Sequence, residues 1–129
     1  MANPNIVSVA SIYGESIFEA LTTNVGTDIM TVLANKLVKI NYISVSNTSL
    51  TVPITVTMAV VKSGFTSAGI ASGEDNTGSC TLVSGVSCPG ADVLIVVDKP
   101  IYLMELDVLE GGASIATASL FVSYEVISV

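Results

Sequence analysis

The side chains best able to do chemistry in this 129-residue chain are carboxylates, and three of them lie close together at Glu105, Asp107 and Glu110. Two carboxylates can serve as acid and base in glycoside hydrolysis. A nucleophilic serine or cysteine would need a neighbouring base, usually histidine, and the sequence contains none. Acidic residues that alternate along a strand more often keep a sheet edge soluble. We therefore predict that the chain is not an enzyme.

A metal site is a second possibility, in segment 73–78 with the sequence Gly-Glu-Asp-Asn-Thr-Gly. Its oxygen-bearing side chains suit calcium, but their spacing differs from that of a dedicated calcium loop. A solvated turn is the simpler interpretation. Two cysteines without histidine supply too few ligands for a structural zinc ion. We expect no metal and no other cofactor.

Cys80 and Cys88 are placed symmetrically about Ser84. If residues 83–85 form a three-residue loop with Gly85 in the left-handed conformation, the two cysteines oppose each other in a hairpin. Directly opposed Cα atoms lie about 4.5–5.5 Å apart, which a disulfide can span. Reduced thiols are expected in a cytoplasm and a disulfide in a particle that lives outside the cell. Both states remain open from the sequence.

Charge and hydropathy exclude two classes of partner. The formal net charge is −7 with only four lysines, so the chain lacks the cations that neutralise nucleic-acid phosphates or anionic lipids. The longest dense apolar run, 93–97, is far too short for a spanning helix. Residues 1–5 carry no positive charge and no long apolar run follows them. We therefore expect synthesis in a cytoplasm, with no nucleic-acid and no membrane partner.

Apolar residues alternate with polar ones along most of the chain, which is the period of a β-strand. The clearest runs are 50–60 and 120–127. Further strands are predicted at 6–12, 17–23, 28–33, 38–46, 80–88, 92–97 and 101–109. About eight to ten short strands at this spacing predict an all-β, two-sheet antiparallel β-sandwich, with a jelly roll as the preferred version.

Several short segments between these runs are predicted to be turns. They include Gly14, Asn47-Thr48-Ser49 and Gly111-Gly112. The triplet at 47–49 also matches the glycosylation sequon, but without a secretory route a turn is the simpler interpretation. Segment 15–21 could form two helical turns, although the flanking threonines and the β-rich context favour extended structure.

Residues 63–79 interrupt the strand pattern with a small, polar, glycine-rich sequence. We interpret residues 63–91 as an excursion with a cysteine hairpin, carried by a single sandwich domain of residues 1–129. A connection of this length is either a contact loop or a mobile surface loop. In the first case Phe65, Ile70, Glu74 and Asp75 are the candidate contact residues.

Half of the residues are hydrophobic but only 5% are aromatic, so small aliphatic side chains must cover both faces of some strands. A small core could use many of them, but part of that surface is expected to meet other subunits. Self-association would also cover exposed sheet edges. We expect a homo-oligomer, with a trimer favoured.

Four segments resemble a family of small virion structural proteins from tailed phages of marine bacteria, chiefly cyanophages. They are residues 1–14, 38–47, 96–105 and 122–128. They cover about a third of the chain. The family's acidic turn usually carries glycine where Leu106 stands here.

The resemblance implies a structural subunit of the virion, and a small acidic sandwich without catalytic residues best suits a capsid decoration, or cement, protein on the outside of a phage head. Its partners would be the major capsid protein or other virion proteins. Pro4, Ile6 and Val7, in an N-terminal arm, are candidate contact residues. The alternative is a tail, neck or fibre component that binds a partner protein or the host surface.

Overall fold

A computed structural model describes residues 10–64 and 77–128 of the chain, and these residues form nine β-strands. The strands are β1 (Ser11–Ala20), β2 (Asp28–Thr31), β3 (Lys36–Asn47), β4 (Ile54–Ser63), β5 (Thr77–Cys88), β6 (Val93–Val97), β7 (Ile101–Leu103), β8 (Val108–Ala113) and β9 (Ala118–Ser128). The described residues contain no helix, and hence none that could cross a membrane. The predicted all-β class is confirmed.

The strands form two antiparallel sheets. In sheet A the order is β1-β9-β3-β6, and β7 pairs with β3 on the same side as β6. In sheet B the order is β2-β8-β4-β5. β6 and β7 can be counted as one interrupted strand, since both pair with the same side of β3. Every connection other than β4–β5 then crosses from one sheet to the other. This is the connectivity of a jelly roll, the preferred version of the predicted sandwich.

The core lies between the inner faces of the two sheets. Sheet A contributes alternate side chains such as Ile40 and Leu120, and sheet B contributes Val56, Met58 and Leu109, all with no exposed surface. The period-two pattern of the sequence therefore corresponds to burial, as expected for strands that each have one face toward the core. These inward side chains fix which residues point outward.

Strand β1 differs from the prediction in one respect. Gly14 was predicted to be a turn, but it lies inside β1, whose pairing with β9 runs without interruption from Ser11 to Ala20. The alternative of two helical turns in 15–21 is also excluded, because residues 15–20 are strand. Gly14 points outward in this strand, and no atom lies within 4 Å of a Cβ built on it.

Gly111 and Gly112 were also predicted to be a turn, but both lie in β8, a buried strand of sheet B. The loop between β1 and β2 passes directly over this strand. Thr22 O accepts a hydrogen bond from the Ala113 N–H at 2.9 Å, and Thr27 O accepts one from the Gly111 N–H at 3.1 Å. A side chain at Gly112 would meet the backbone of this loop, so close packing, not a turn, accounts for glycine there.

The sequon residue Asn47 is a buried structural residue at the end of β3. Its Nδ2 donates to Val52 O at 2.8 Å and lies within 3.3 Å of Cys88 O. Its Oδ1 accepts from the Ser49 N–H and the Thr117 hydroxyl. The asparagine holds the chain after β3 against two other loops, which agrees with the predicted turn.

Candidate interaction surface

The outer face of sheet A carries a row of apolar side chains that runs across four strands. Directly opposed residues in an antiparallel sheet point to the same face. Its apolar members are Phe18 of β1, Phe121 of β9 and Ile95 of β6, and the buried Ser44 of β3 lies between the last two. Phe18 is 75% exposed and Ile95 is 54% exposed. Aromatic and aliphatic surface is thus left in solvent on a sheet face, not only at its rim.

Other side chains of the same face widen this row. The Tyr42 ring lies 6.4 Å from the Phe121 ring, centroid to centroid, at an interplanar angle of 58°, a tilted arrangement favourable for aromatic pairs. We define the apolar band as Phe18, Tyr42, Val93, Ile95, Tyr102 and Phe121. Large exposed apolar patches on soluble proteins mark interaction sites. The apolar band is therefore the main candidate contact surface of the described residues.

The outer face of sheet B has a different character. Register places Thr55, Thr57 and Thr81 on it, and Thr81 is exposed. The Thr57 hydroxyl accepts a hydrogen bond from the Gly85 N–H at 2.9 Å, so it serves the fold. The loop between β1 and β2 covers part of β8 on this side. Of the two outer faces, that of sheet A is the better suited to bind another apolar surface.

A shallow polar groove of about 450 Å³ adjoins the apolar band on the outer side of sheet A. Its lining includes Ser16, Ser123, Glu125 and Asn41, with Phe121 at one side. Asn41 lies where the β3–β9 register shifts. Glu125 forms a 3.8 Å ion pair with Lys39. Hydroxyl, amide and carboxylate groups beside an aromatic ring can hydrogen-bond a polar ligand and stack against it.

Two of the three carboxylates considered for catalysis, Glu105 and Asp107, hydrogen-bond neighbouring segments of the fold, and the third, Glu110, is half-buried in β8. Glu105 and Asp107 are buried in the turn between β7 and β8, and are not on an exposed rim as predicted. Asp107 Oδ2 accepts from Lys62 Nζ at 2.5 Å, and Asp107 Oδ1 accepts from the Ser63 N–H at 2.8 Å. Glu105 Oε1 accepts from the Asn35 N–H at 3.0 Å. These bonds join the β7–β8 turn to the end of β4 and to the β2–β3 loop.

This arrangement anchors the base of the predicted excursion. Ser63 is the last residue of β4 and pairs with Thr77, the first residue of β5. The Ser63 hydroxyl donates to Glu105 O at 2.6 Å, so both its backbone and its side chain are held by the β7–β8 turn. The buried carboxylates therefore fix the end of β4 and, through the Ser63–Thr77 pair, the start of β5.

Asp107 is ionised in this setting. Burial raises the pKa of its carboxyl, but hydrogen bonds from Lys62, from the Ser63 and Met104 N–H groups and from the Ser63 side chain together hold the pKa below its ordinary value of 3.8. A buried carboxylate with several donors is expected to remain charged at neutral pH. A carboxyl that acts as a general acid needs a raised pKa, whereas the pKa of Asp107 is lowered.

Leu106 occupies the strained position of the same turn. The Asp107 N–H donates to Met104 O at 3.0 Å, which closes a β-turn, and Leu106 at its third position has φ of 64°. Glycine or asparagine is preferred there, because left-handed backbone costs other residues about 1–2 kcal/mol. Leucine departs from this preference.

We expect Leu106→Gly to raise the free energy of unfolding by about 0.5 kcal/mol, since relief of the left-handed strain exceeds the added flexibility of the unfolded chain. Leu106→Val should lower it by about 1 kcal/mol, because a β-branched side chain fits this conformation poorly. Urea denaturation of the two variants and the wild type measures the difference. Greater destabilisation by glycine than by valine would contradict this account of the turn.

The cysteine hairpin was predicted wrongly. Residues 77–88 form the single strand β5, in which Cys80 pairs with Val60 and Cys88 with Ile54 of β4. Eight residues along a strand span about 26 Å, so the two cysteines cannot form a bridge within one chain. Both are free, Cys80 exposed and Cys88 buried. Gly85, at φ of 59°, takes up a bulge in this strand and does not close a loop.

The remaining candidate residues lie outside the described part of the chain. They are Phe65, Ile70, Glu74 and Asp75 of the excursion and Pro4, Ile6 and Val7 of the N-terminal arm. Within residues 10–64 and 77–128, no group of three potential metal ligands comes together. The sequence predicted apolar side chains on both faces of some strands but not which residues form the apolar band. The period-two pattern of 120–127 does place Phe121 on the face opposite Leu120 and Val122.

Comparison with known proteins found no matching family model, curated protein or solved structure.

Proposed function

We propose that this chain is a structural protein of a phage particle, and that it decorates the outer surface of the capsid. The apolar band carries this proposal, because it leaves a broad, rigid contact face on an otherwise acidic protein. The resemblance of four sequence segments to phage virion proteins is the reason for proposing a phage particle. The major capsid protein, or another virion protein, is the proposed partner of the band.

The fold suits such a role. A decoration protein must bind many equivalent positions on a shell, and a rigid sandwich with a defined face presents the same contacts at each one. The buried network at Asp107 holds Ser63 at the end of β4, and Ser63 pairs with Thr77 at the start of β5. This proposal includes no catalytic step and no cofactor.

The alternative is a tail, neck or fibre component that binds a host-surface ligand. The polar groove beside Phe121 favours this alternative, because hydroxyl, amide and carboxylate groups next to an aromatic ring suit a sugar. Jelly rolls occur both in viral capsids and in lectins, so the fold alone does not choose between the two.

The copy number of the chain in purified particles tests the proposal. A decoration protein is expected at hundreds of copies per particle, whereas a tail, neck or fibre protein is expected at a few to some tens. Quantitative mass spectrometry of gradient-purified virions, with the major capsid protein as the internal standard, measures this number. Absence of the chain from the particles would refute the virion role.

A further inference from the structure

No other strand of residues 10–64 and 77–128 pairs with the outer edge of β1. Edge strands of soluble proteins are usually short, bulged, interrupted or charged, because a free edge can pair with another chain. Three of the four edges in the described residues have such protection. β2 has only four residues, β5 contains two register shifts, and the β6–β7 edge is interrupted at Asp98–Pro100. β1 has ten residues, no proline and no bulge, and its only charged residues, Glu15 and Glu19, lie on the inner face.

The free edge of β1 carries its unpaired backbone groups at even-numbered residues. The Leu21 N–H donates to Ala118 O at 3.0 Å, one step beyond the last β1–β9 register pair. Hydrogen-bonded and non-hydrogen-bonded pairs alternate in an antiparallel ladder, so the odd-numbered residues bond to β9. The N–H and C=O groups of the even-numbered residues therefore lie in the plane of the sheet and point away from β9. These residues are Ile12, Gly14, Ser16, Phe18 and Ala20, and none carries a charge.

We propose that β1 pairs antiparallel with β1 of a second copy, about a two-fold axis at Ser16. This register places Phe18 of each copy opposite Gly14 of the other on the outer face. Phe18 is 75% exposed, and no atom lies within 4 Å of a Cβ built on Gly14, so the glycine leaves space for the ring. Pairing of an aromatic residue with a strand glycine is a known way to stabilise such a glycine.

The inner-face side chains of β1 favour the register with its axis at Ser16 over the register with its axis at Glu15. With the axis at Ser16, Tyr13 lies opposite Glu19 of the second copy, where its hydroxyl can donate to the carboxylate. An axis at Glu15 would instead oppose two carboxylates, which is unfavourable. Glu15 itself already accepts a hydrogen bond from the Tyr124 hydroxyl at 2.8 Å.

The symmetry of this contact determines the assembly. An antiparallel pair of identical strands is two-fold, so β1 forms a dimer, in place of the trimer expected from the composition. The two sheets A become one continuous sheet, and the two apolar bands meet at Phe18 of both copies. The dimer depends only on the β1 edge and stands whether or not the proposed function is correct.

Cysteine cross-linking tests the register directly. In a Cys80→Ser background, which removes the exposed thiol, Ser16→Cys should form a disulfide-linked dimer under mild oxidation, because paired Cα atoms lie about 5.5 Å apart. Glu15→Cys is the matched control, since its diagonal separation of about 8 Å is too long for a bridge. Cross-linking of Glu15→Cys but not of Ser16→Cys would overturn the proposed register.

Sedimentation equilibrium of the full chain tests the dimer itself. The wild type should shift from monomer to dimer as its concentration rises. Ser16→Pro removes an outward N–H at the axis and leaves the β9 ladder intact, so dimerisation should weaken by about tenfold or more. Ser16→Ala keeps the N–H and should dimerise like the wild type. A wild type that remains monomeric at every concentration would overturn the proposal.

Discussion

Asp107→Ala is expected to lower the free energy of unfolding by about 3 kcal/mol at neutral pH. The change leaves the Ser63 and Met104 N–H groups without their acceptor, and a buried unsatisfied donor costs about 1–3 kcal/mol. It also releases the base of the excursion from the β7–β8 turn. Chemical denaturation gives the stability, and limited proteolysis should show faster cleavage in residues 63–77.

Lys62→Met is the control that separates the ion pair from the backbone bonds. It removes the ammonium group but keeps most of the apolar stem and both N–H bonds to Asp107. Asp107 is buried but Lys62 is partly exposed and the two N–H donors remain, so we expect a smaller loss of about 2 kcal/mol. An equal loss of unfolding free energy in the two variants would show that the ion pair, and not the backbone donors, supplies most of the stabilisation by Asp107.

The effect of Asp107 should depend on pH. Because its pKa in the folded chain is lowered, its contribution to stability is complete above pH of about 4 and is lost as the pH falls through the folded-state pKa. The difference in stability between the wild type and Asp107→Ala should therefore shrink in acid. A difference that is constant from pH 7 to pH 2 would contradict an ionised, hydrogen-bonded Asp107.

Gly112→Ala is expected to lower the free energy of unfolding by about 2 kcal/mol. A Cβ at this position would lie 2.6 Å from Asn24 O and 2.9 Å from Thr22 O. These are backbone atoms of a loop that is bonded to β8, so relief requires the loop to move, and overpacking of this kind costs about 1–3 kcal/mol.

Gly14→Ala is the matched control, since it is the same substitution in another strand. No atom lies within 4 Å of the added Cβ. Replacing a strand glycine by alanine also reduces the entropy of the unfolded chain, so stability should stay unchanged or rise by about 0.5 kcal/mol. Thermal denaturation compares the two variants. Similar losses in both would show that the loop does not pack against Gly112 as described.

The strands could be predicted from the sequence because burial follows a period of two. In β4, Val56 and Met58 alternate with Thr55 and Thr57, and the pattern alone identified both the strand and its inward face. Glycine was misinterpreted for a physical reason. Gly14 and Gly112 both lie in strands. Glycine is needed at position 112 because the β1–β2 loop packs against it, and the local sequence pattern does not reveal this contact.

The candidate surface was harder to predict than the fold. The symmetric spacing of Cys80 and Cys88 fits a hairpin locally, but pairing with β4 keeps residues 77–88 in one strand. The burial of Asp107 depends on donors 44 and 45 residues away along the chain. The apolar band likewise requires the order of strands in sheet A, because Phe18, Phe121 and Ile95 come to lie in one row only through that order.

Binding to empty phage heads tests the central claim, that the apolar band is the contact surface, most directly. Purified Ile95→Lys places a charge within the band at a position distant from β1, and Thr81→Lys places the same charge on the exposed outer face of sheet B. Co-sedimentation with heads that lack this protein measures both. Ile95→Lys should weaken binding by about tenfold or more, while Thr81→Lys should bind like the wild type. Equal binding of the two variants, or selective loss with Thr81→Lys, would contradict it.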